Sequence, residues 1–376
     1  MKRVLFLIQD LRGGGAEKVL VNLVNHLDRE KYDITVLTIF DGGENEASLA
    51  PWIHRASLFH KSFPGNSKVL SLFTPEQLHR RFVRQRYDIE IAYLEGAAHR
   101  IISGCTTPGT TLFAWQHSRP QTESGAFIGF RSWKESERYY QRFFQIVCVS
   151  ESVRQRFSDF HPKLKNLTVA YNTNESEKIQ QLACEPIENE LFIPNIFKII
   201  GVGKVTKLKG FDRLARIHRR LREEGYPVHT FILGSGEAQN EIQRYVNDNG
   251  LSDTFTFLGY QQNPYKYVAK CDLFVCSSHT EGFSTAATEA LIVGTPVCTV
   301  DVSGMKEMLG EHNEFGIVTE NNDEALYQGI RSLLVNRDKF LYYREKAIER
   351  GKTFFTEKTV AAVEKLFEEL TTNENK

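Results

Sequence analysis

Short apolar runs alternating with segments of helical period constrain this chain more than any other feature. Residues 4–8 form an apolar run, and after a glycine-rich turn Val19, Leu20, Leu23, Val24 and Leu27 recur at helical spacing. Apolar runs return at 34–39, 89–93, 111–114 and 146–149, with helical segments between them. A second series follows: strands at 197–201, 229–233, 254–258 and 273–276, and helices at 211–224 and 238–249. Short strands joined by helices predict parallel sheets with crossover connections. At 376 residues the chain is too long for one ordinary core, so two such domains are expected. The first spans 1–170. Residues 171–190, which include the polar NTNESEK and show no helical or strand period, read as the linker. The second domain spans 191–355, and 356–376 form a terminal helix with Val360, Val363, Leu366, Phe367 and Leu370 on one face.

Composition narrows the function classes. The chain is 41% hydrophobic and 25% charged, as soluble globular proteins are, and its 47 basic residues equal its 47 acidic ones. Net charge therefore gives no argument for nucleic acid, and none is expected as a partner. The opening MKRVLFLIQD is too short for a signal core and leads into a glycine turn instead of a cleavage site. No apolar stretch approaches the roughly 20 residues that span a bilayer. The expected location is cytoplasmic, or peripheral at the inner face of the plasma membrane. Six scattered cysteines without a CxxC pair read as small buried hydrophobes in a reducing compartment.

Charge is uneven locally. Residues 54–86 carry Arg55, Lys61, Lys68, Arg80, Arg81, Arg84 and Arg86 against Glu76 alone, and 127–144 mix eight aromatic or aliphatic residues with Arg131, Lys134, Arg138 and Arg142. Two readings stand side by side: a half-buried surface with snorkelling basic side chains, or a face that rests on an anionic membrane.

The stretch 277–304, SSHTEGFSTAATEALIVGTPVCTVDVSG, concentrates the candidate chemistry. It follows the run at 273–276, turns at Gly282 and enters a helical pattern, which places Glu281 at a strand's carboxyl end and Glu289 within a helix. In parallel sheets that crevice binds ligands, since helix N-termini present free amides and partial positive charge. Gly282, Phe283, Ser284 and Thr285 would supply the amides. An isolated Glu near a helix start is as well explained by capping or the helix dipole. Elsewhere, Gly14 and Gly15 close the first strand without the GxGxxG of dinucleotide binders or the Lys-Ser/Thr of a P-loop. Lys204 and Lys209 flank a glycine-rich turn from which both ammonium groups could reach one diphosphate, although loop lysines are commonly solvated. Gly236 and Tyr260 sit on turns after later strands, and His117 follows the run at 111–114.

Glu281 and Glu289 in EGFSTAATEALIVGTPV, with Gly294, Thr295 and Pro296 behind them, resemble the donor-site motif of retaining nucleotide-sugar glycosyltransferases of family 4. The resemblance implies the GT-B fold: two Rossmann-like α/β domains facing a cleft, with a C-terminal helix crossing back to the first domain. It implies a GGAE turn at Gly14 and Gly15 facing the cleft, and Lys204 and Lys209 on the diphosphate. Lys204 stands where the family commonly has Arg, so its grip lacks a bidentate fork. It further implies base-holding turns at Gly236 and Tyr260, Glu289 on the ribose, Glu281 on the donor sugar, and His117 against that sugar and facing the reacting carbon. The catalytic set expected is Glu281, His117 and Lys209.

The implied activity is transfer of a hexose-type sugar, with retention and an α-linkage, from a nucleotide diphosphate sugar, UDP being the expected nucleotide. The acceptor is a hydroxyl of a glycan or lipid-linked saccharide, of the kind from which surface polysaccharides grow. No cofactor and no metal are expected, because the sequence has no DxD motif and two lysines plus helix-terminal amides can carry the leaving-group charge. Two other readings share the residues: a nucleotide-sugar 2-epimerase, and a catalytically silent partner of another transferase.

Overall fold

The computed structural model describes residues 1–12, 15–62, 65–187, 192–281 and 283–373. It separates into two compact units, one of Met1–Asn174 with Thr356–Lys376 and one of Glu175–Phe355.

The first unit holds seven strands: β1 (Lys2–Ile8), β2 (Tyr32–Phe40), β3 (His54–Phe59), β4 (Ile89–Ala92), β5 (Thr111–Gln116), β6 (Gln145–Cys148) and β7 (Leu167–Val169). They lie in the order β3-β2-β1-β4-β5-β6-β7, all parallel. Val4 to Ile8 are wholly buried, as a central parallel strand covered on both faces must be. Strands β3 and β7 were not expected. The first is an edge strand, HRASLF, whose exposed half has no apolar run to read, and the second has only three half-buried residues.

Much of the suspected interfacial face turns out to be core. Phe130, Tyr139, Tyr140 and Phe143 are buried together with Phe157, leaving Ile128 exposed among the apolar residues of that segment. In the basic segment Arg55 pairs with Asp41 and Glu46, while its one acidic residue, Glu76, pairs with Arg142 of the aromatic segment. Arg100 is almost entirely buried and donates to the carbonyls of Leu70 (2.8 Å) and Phe73 (2.6 Å) while pairing with Glu135. Nη1 and Nη2 are thereby partnered, which offsets the cost of burying the charge, while Nε has no partner among the described residues.

The helix Thr356–Asn373 packs on this unit. The Phe367 ring meets Tyr32 and Phe113 edge-on, its carbonyl accepts from Lys2 Nζ at 3.1 Å, and Glu364 Oε1 accepts the Asp28 amide at 2.9 Å. Thr356 Oγ1 donates to the Asn174 carbonyl at the point where the chain re-enters the unit.

The second unit holds β8 (Phe197–Val202), β9 (Val228–Leu233), β10 (Phe255–Gly259), β11 (Leu273–Cys276), β12 (Val297–Val300) and β13 (Ile317–Thr319), parallel in the order β10-β9-β8-β11-β12-β13. The helix Phe211–Glu223 buries Phe211, Leu214, Ala215, Ile217 and Leu221 along one stripe. The segment read as an irregular linker contains a helix, Ser176–Ala183. It buries Ile179 and Ala183 and accepts Asn263 Nδ2 on the Leu182 carbonyl at 2.9 Å. Two apolar residues four apart sufficed once a partner surface was present, and the polar remainder hid the period. Both units are doubly wound Rossmann-like sheets.

Candidate active site

In an open parallel sheet the ligand crevice opens at the strands' carboxyl ends where strand order reverses. In the second unit that point lies between β8 and β11, which pair directly through Ile199 and Leu273. The turn after β8 carries Lys204 and Lys209, and the turn after β11 carries Glu281. Gly210, at φ +63°, lets the two turns touch: a Cβ there would stand 2.1 Å from the Ser277 carbonyl oxygen. The His279 amide donates to Leu208 O at 2.8 Å, and Ser277 Oγ to Lys209 O at 3.0 Å.

These stitches bring Lys209 Nζ to 2.5 Å from Glu281 Oε1, which also accepts Ser278 Oγ at 2.7 Å. The Glu281 side chain is 11% exposed and that of Lys209 31%. An ammonium has three donors, so the pairing leaves Lys209 two for a ligand. Behind the pair, Arg213 spreads its guanidinium over Asp323 Oδ1 (2.9 Å), Asn321 Oδ1 (2.8 Å), the Ser277 carbonyl (3.4 Å) and His279 Nδ1 (3.1 Å). Sequence reading missed Arg213. Its signal was an arginine at 213 among the inward positions 211, 214 and 217 of a helix.

The helix Thr285–Ile292 follows Glu281, with Ser284 as N-cap accepting the Ala287 amide at 3.3 Å. Phe283 is buried and packs towards Phe354. Glu289, one turn along, is half-buried and accepts the Tyr265 hydroxyl at 3.2 Å. The two glutamates thus have different neighbours, a lysine for one and a phenol for the other. Gly236 serves close packing, since a Cβ there would lie 2.3 Å from Val205 O, and the Val205 amide donates to Ser235 O. Tyr260, just past β10, is 79% exposed. Lys204 is exposed and forms no ion pair among the described residues, so only Lys209 of the two lysines meets Glu281.

In the first unit Gly15 opens the helix Gly15–His26, where an added Cβ would meet nothing within 4 Å. Gly14 and Gly282 lie outside the described residues. His117 follows β5, and its ring lies 4.9 Å from that of Tyr93 at the end of β4. Burial pushes its pKa down to about 3, against a hydrogen bond to the Tyr93 backbone, so the ring is neutral at pH 7. Its Nε2 is buried and has no hydrogen-bond partner among the described residues. Glu95, which sequence reading passed over, accepts the His117 amide at 2.6 Å, the Ser118 amide at 2.5 Å and Ser118 Oγ at 2.9 Å, all on Oε1. Burial raises its pKa, and those same hydrogen bonds oppose the rise.

Among the described residues one trio has donor atoms close enough for a metal ion: His79, Glu90 and Cys105. It lies buried in the first unit and is internally hydrogen-bonded, with His79 Nε2 2.7 Å from Glu90 Oε2 and Cys105 Sγ donating to Glu90 Oε1 at 3.7 Å. No helix among the described residues is long and apolar enough to cross a membrane.

Comparison with known proteins fits this arrangement. The family described as Glycosyltransferase Family 4 matches residues 13–174, and that described as Glycosyl transferases group 1 matches residues 187–354. A Campylobacter jejuni protein named N-acetylgalactosamine-N,N'-diacetylbacillosaminyl-diphospho-undecaprenol 4-alpha-N-acetylgalactosaminyltransferase is 33% identical over 192 residues, half the length of each chain. An uncharacterised glycosyltransferase of Haemophilus influenzae is 22% identical over 96% of this chain and 98% of its own. Among solved structures, Anabaena HepE in complex with UDP shares the fold with a TM-score of 0.75 at 18% identity, covering 98% of this chain and all of the other. With the two matched regions filling its two Rossmann-like units in order, the chain belongs to the group 1/family 4 glycosyltransferases of the GT-B fold.

Proposed function

We propose that this glycosyltransferase moves a hexose-type sugar from a UDP-sugar to a sugar hydroxyl of a glycan or lipid-linked acceptor, with retention and without a metal. The observation that carries the reading is the Lys209 ammonium held 2.5 Å from Glu281 at the β8/β11 reversal, beside the N-terminus of Thr285–Ile292. As the anomeric bond breaks, negative charge grows on the leaving diphosphate. Lys209, Lys204 and the helix-terminal amides are the groups suited to receive it, and fixed charges aimed at developing charge accelerate the step. Glu281 orients donor-sugar hydroxyls. The leaving phosphate then takes the acceptor's proton on the same face, which gives the α-linkage. Glu289 holds the ribose, and Tyr265 presets its carboxylate. His117, neutral and with an unpartnered Nε2, accepts a hydrogen bond from a sugar hydroxyl.

The UDP donor draws support from the fold neighbour solved with UDP, and the lipid-linked acceptor from the diphospho-undecaprenol in the C. jejuni relative's name. A place to meet such an acceptor's membrane is offered by Leu72 (77% exposed) and Phe73 (46%), with Lys68 near them in the chain. Arg131 ties Ser71 and Phe73 by their carbonyls, bringing basic charge to the same surface. Basic and apolar side chains together suit an anionic bilayer.

The test is transfer from a panel of UDP-sugars to undecaprenyl-diphosphate saccharides in anionic vesicles, with and without EDTA. An α-linked product formed at undiminished rate in EDTA is expected. A β-linked product would overturn retention, and loss of activity restored by Mn²⁺ would overturn the metal-free site. Equal sedimentation with anionic and neutral vesicles at low salt would remove the membrane part alone.

A further inference from the structure

The strand order of the first unit reverses between β1 and β4, so the turn after β4 occupies the position that the Glu281 turn holds in the second unit. That turn contains Glu95. A carboxylate here could be solvated, or paired with a cation, or aimed at a ligand. Instead its Oε1 takes three donors from one neighbouring turn: the amides of His117 and Ser118 and the Ser118 hydroxyl. Two successive amides on one charged oxygen fix the peptide planes on either side of residue 117, because charge-assisted hydrogen bonds are short and directional.

Three further contacts converge on the same segment. His99, on the helix Ala97–Ile102 that begins just past Glu95, lies with Nε2 2.8 Å from the Trp115 carbonyl. Its Nδ1 lies 3.2 Å from the Tyr140 hydroxyl. Tyr93 stacks on Trp115 and packs its ring against His117. The segment 115–118 is thus held from the β4 side at residues 115, 117 and 118. The His117 side chain is left with one nitrogen bound towards the Tyr93 backbone and Nε2 free. A neutral imidazole whose Nδ1–H is donated presents a lone pair at Nε2. The direction of that lone pair is set by the residue 117 backbone, and so by Glu95.

We infer that Glu95 is a positioning residue for the transfer step: its carboxylate holds the 117–118 turn so that His117 meets the sugar in one orientation. The inference rests on the proposed role of His117 and extends it to a residue that touches no substrate.

Four variants test it in the full chain: Glu95→Gln, Glu95→Ala, His117→Ala and the Glu95→Ala/His117→Ala pair. Each is assayed for kcat, donor KM, UDP binding by calorimetry and thermal melting. His117→Ala is expected to lower kcat by about 100-fold or more, as loss of a group acting on the reacting sugar does. Glu95→Ala should lower kcat by about 10- to 100-fold while UDP affinity stays within twofold, because a misplaced group costs rate more than binding. Glu95→Gln keeps an acceptor oxygen and should recover most of that loss. The double variant should be no slower than His117→Ala, since Glu95 acts through His117.

Full kcat in His117→Ala would sink the His117 reading, and this inference with it. An impaired His117→Ala beside a fully active Glu95→Ala would sink the positioning role alone. So would losses in the double variant that multiply, or a Glu95→Ala defect that vanishes when rates are corrected for folded fraction.

Discussion

The two units place chemistry at equivalent points of two similar sheets, and they do so in opposite electrical styles. In the second unit the site is a charged pair, Lys209 and Glu281, partly open to solvent and braced by Arg213. In the first, the histidine is kept neutral by burial, and the nearby carboxylate spends its oxygen on backbone amides. A reaction that expels a diphosphate needs preorganised charged donors where charge develops, and a rigid, uncharged contact where a sugar must be oriented. The contrast predicts that substitutions at the Lys209–Glu281 pair damage binding and rate together, whereas those around His117 damage rate.

The largest effect should come from the charged pair. Lys209→Ala is expected to lower kcat by about 10²- to 10³-fold and to weaken donor affinity too, the magnitude typical of removing one preorganised donor. Glu281→Gln should act similarly. Because the two side chains are 2.5 Å apart, the double variant should fall well short of the product of the single losses. Steady-state kinetics on the three enzymes would break the comparison if Lys209→Ala changed donor KM alone, for its ammonium would then be a binding group only.

A smaller effect is expected one helical turn away. Glu289 accepts from Tyr265 and is proposed to meet ribose hydroxyls, which carry the same charge before and during reaction. Glu289→Gln should raise donor KM by about 10- to 150-fold, the equivalent of losing a charged hydrogen bond of roughly 1.5–3 kcal/mol, with kcat nearly unchanged. A collapsed kcat at wild-type KM would reverse the roles assigned to the two glutamates.

How much of this was legible in the sequence follows the same divide. Glu281 and Glu289 were found because strand, turn and helix lie within one continuous stretch, so spacing alone carries their geometry. Lys209 was found as a loop cation, but its pairing with Glu281 depends on the parallel contact of β8 with β11, made across 72 residues. Arg213 and Glu95 were invisible for the same reason: their partners sit at 279, 321 and 323, and at 117 and 118. In the fold, the buried central strands announced themselves as apolar runs. The edge strand β3 did not, since pairing on one side only leaves its composition that of a surface. The helix Ser176–Ala183 was lost because eight residues give barely two turns of period.

The mildest test concerns stability and is confined to the first unit. Burial works against charging His79, but its contacts with Cys105 and Glu90 and the Glu90 charge outweigh that, pushing its pKa up to about 9. An unfolded histidine titrates near 6.5. Between those values the folded chain binds the extra proton, so the contribution of the His79–Glu90 pair is fully present below about pH 6.5. It is lost as pH rises towards 9, with a slope approaching about 1.4 kcal/mol per pH unit. His99 and His117 in the same unit, and His218 and His229 in the other, have pKa values depressed by burial, so they destabilise only as pH falls below about 6.5. Burial also raises the Cys148 thiol above its free value near 8.5, so the part of the alkaline limb between about pH 6.5 and 8 isolates His79. All three tryptophans, Trp52, Trp115 and Trp133, belong to the first unit, so their fluorescence reports its unfolding separately. Urea midpoints followed this way should fall between pH 6.5 and 9 in the native sequence and stay flatter in His79→Gln, a variant that cannot take up the proton. Parallel alkaline limbs in the two proteins would show that His79 is not held charged.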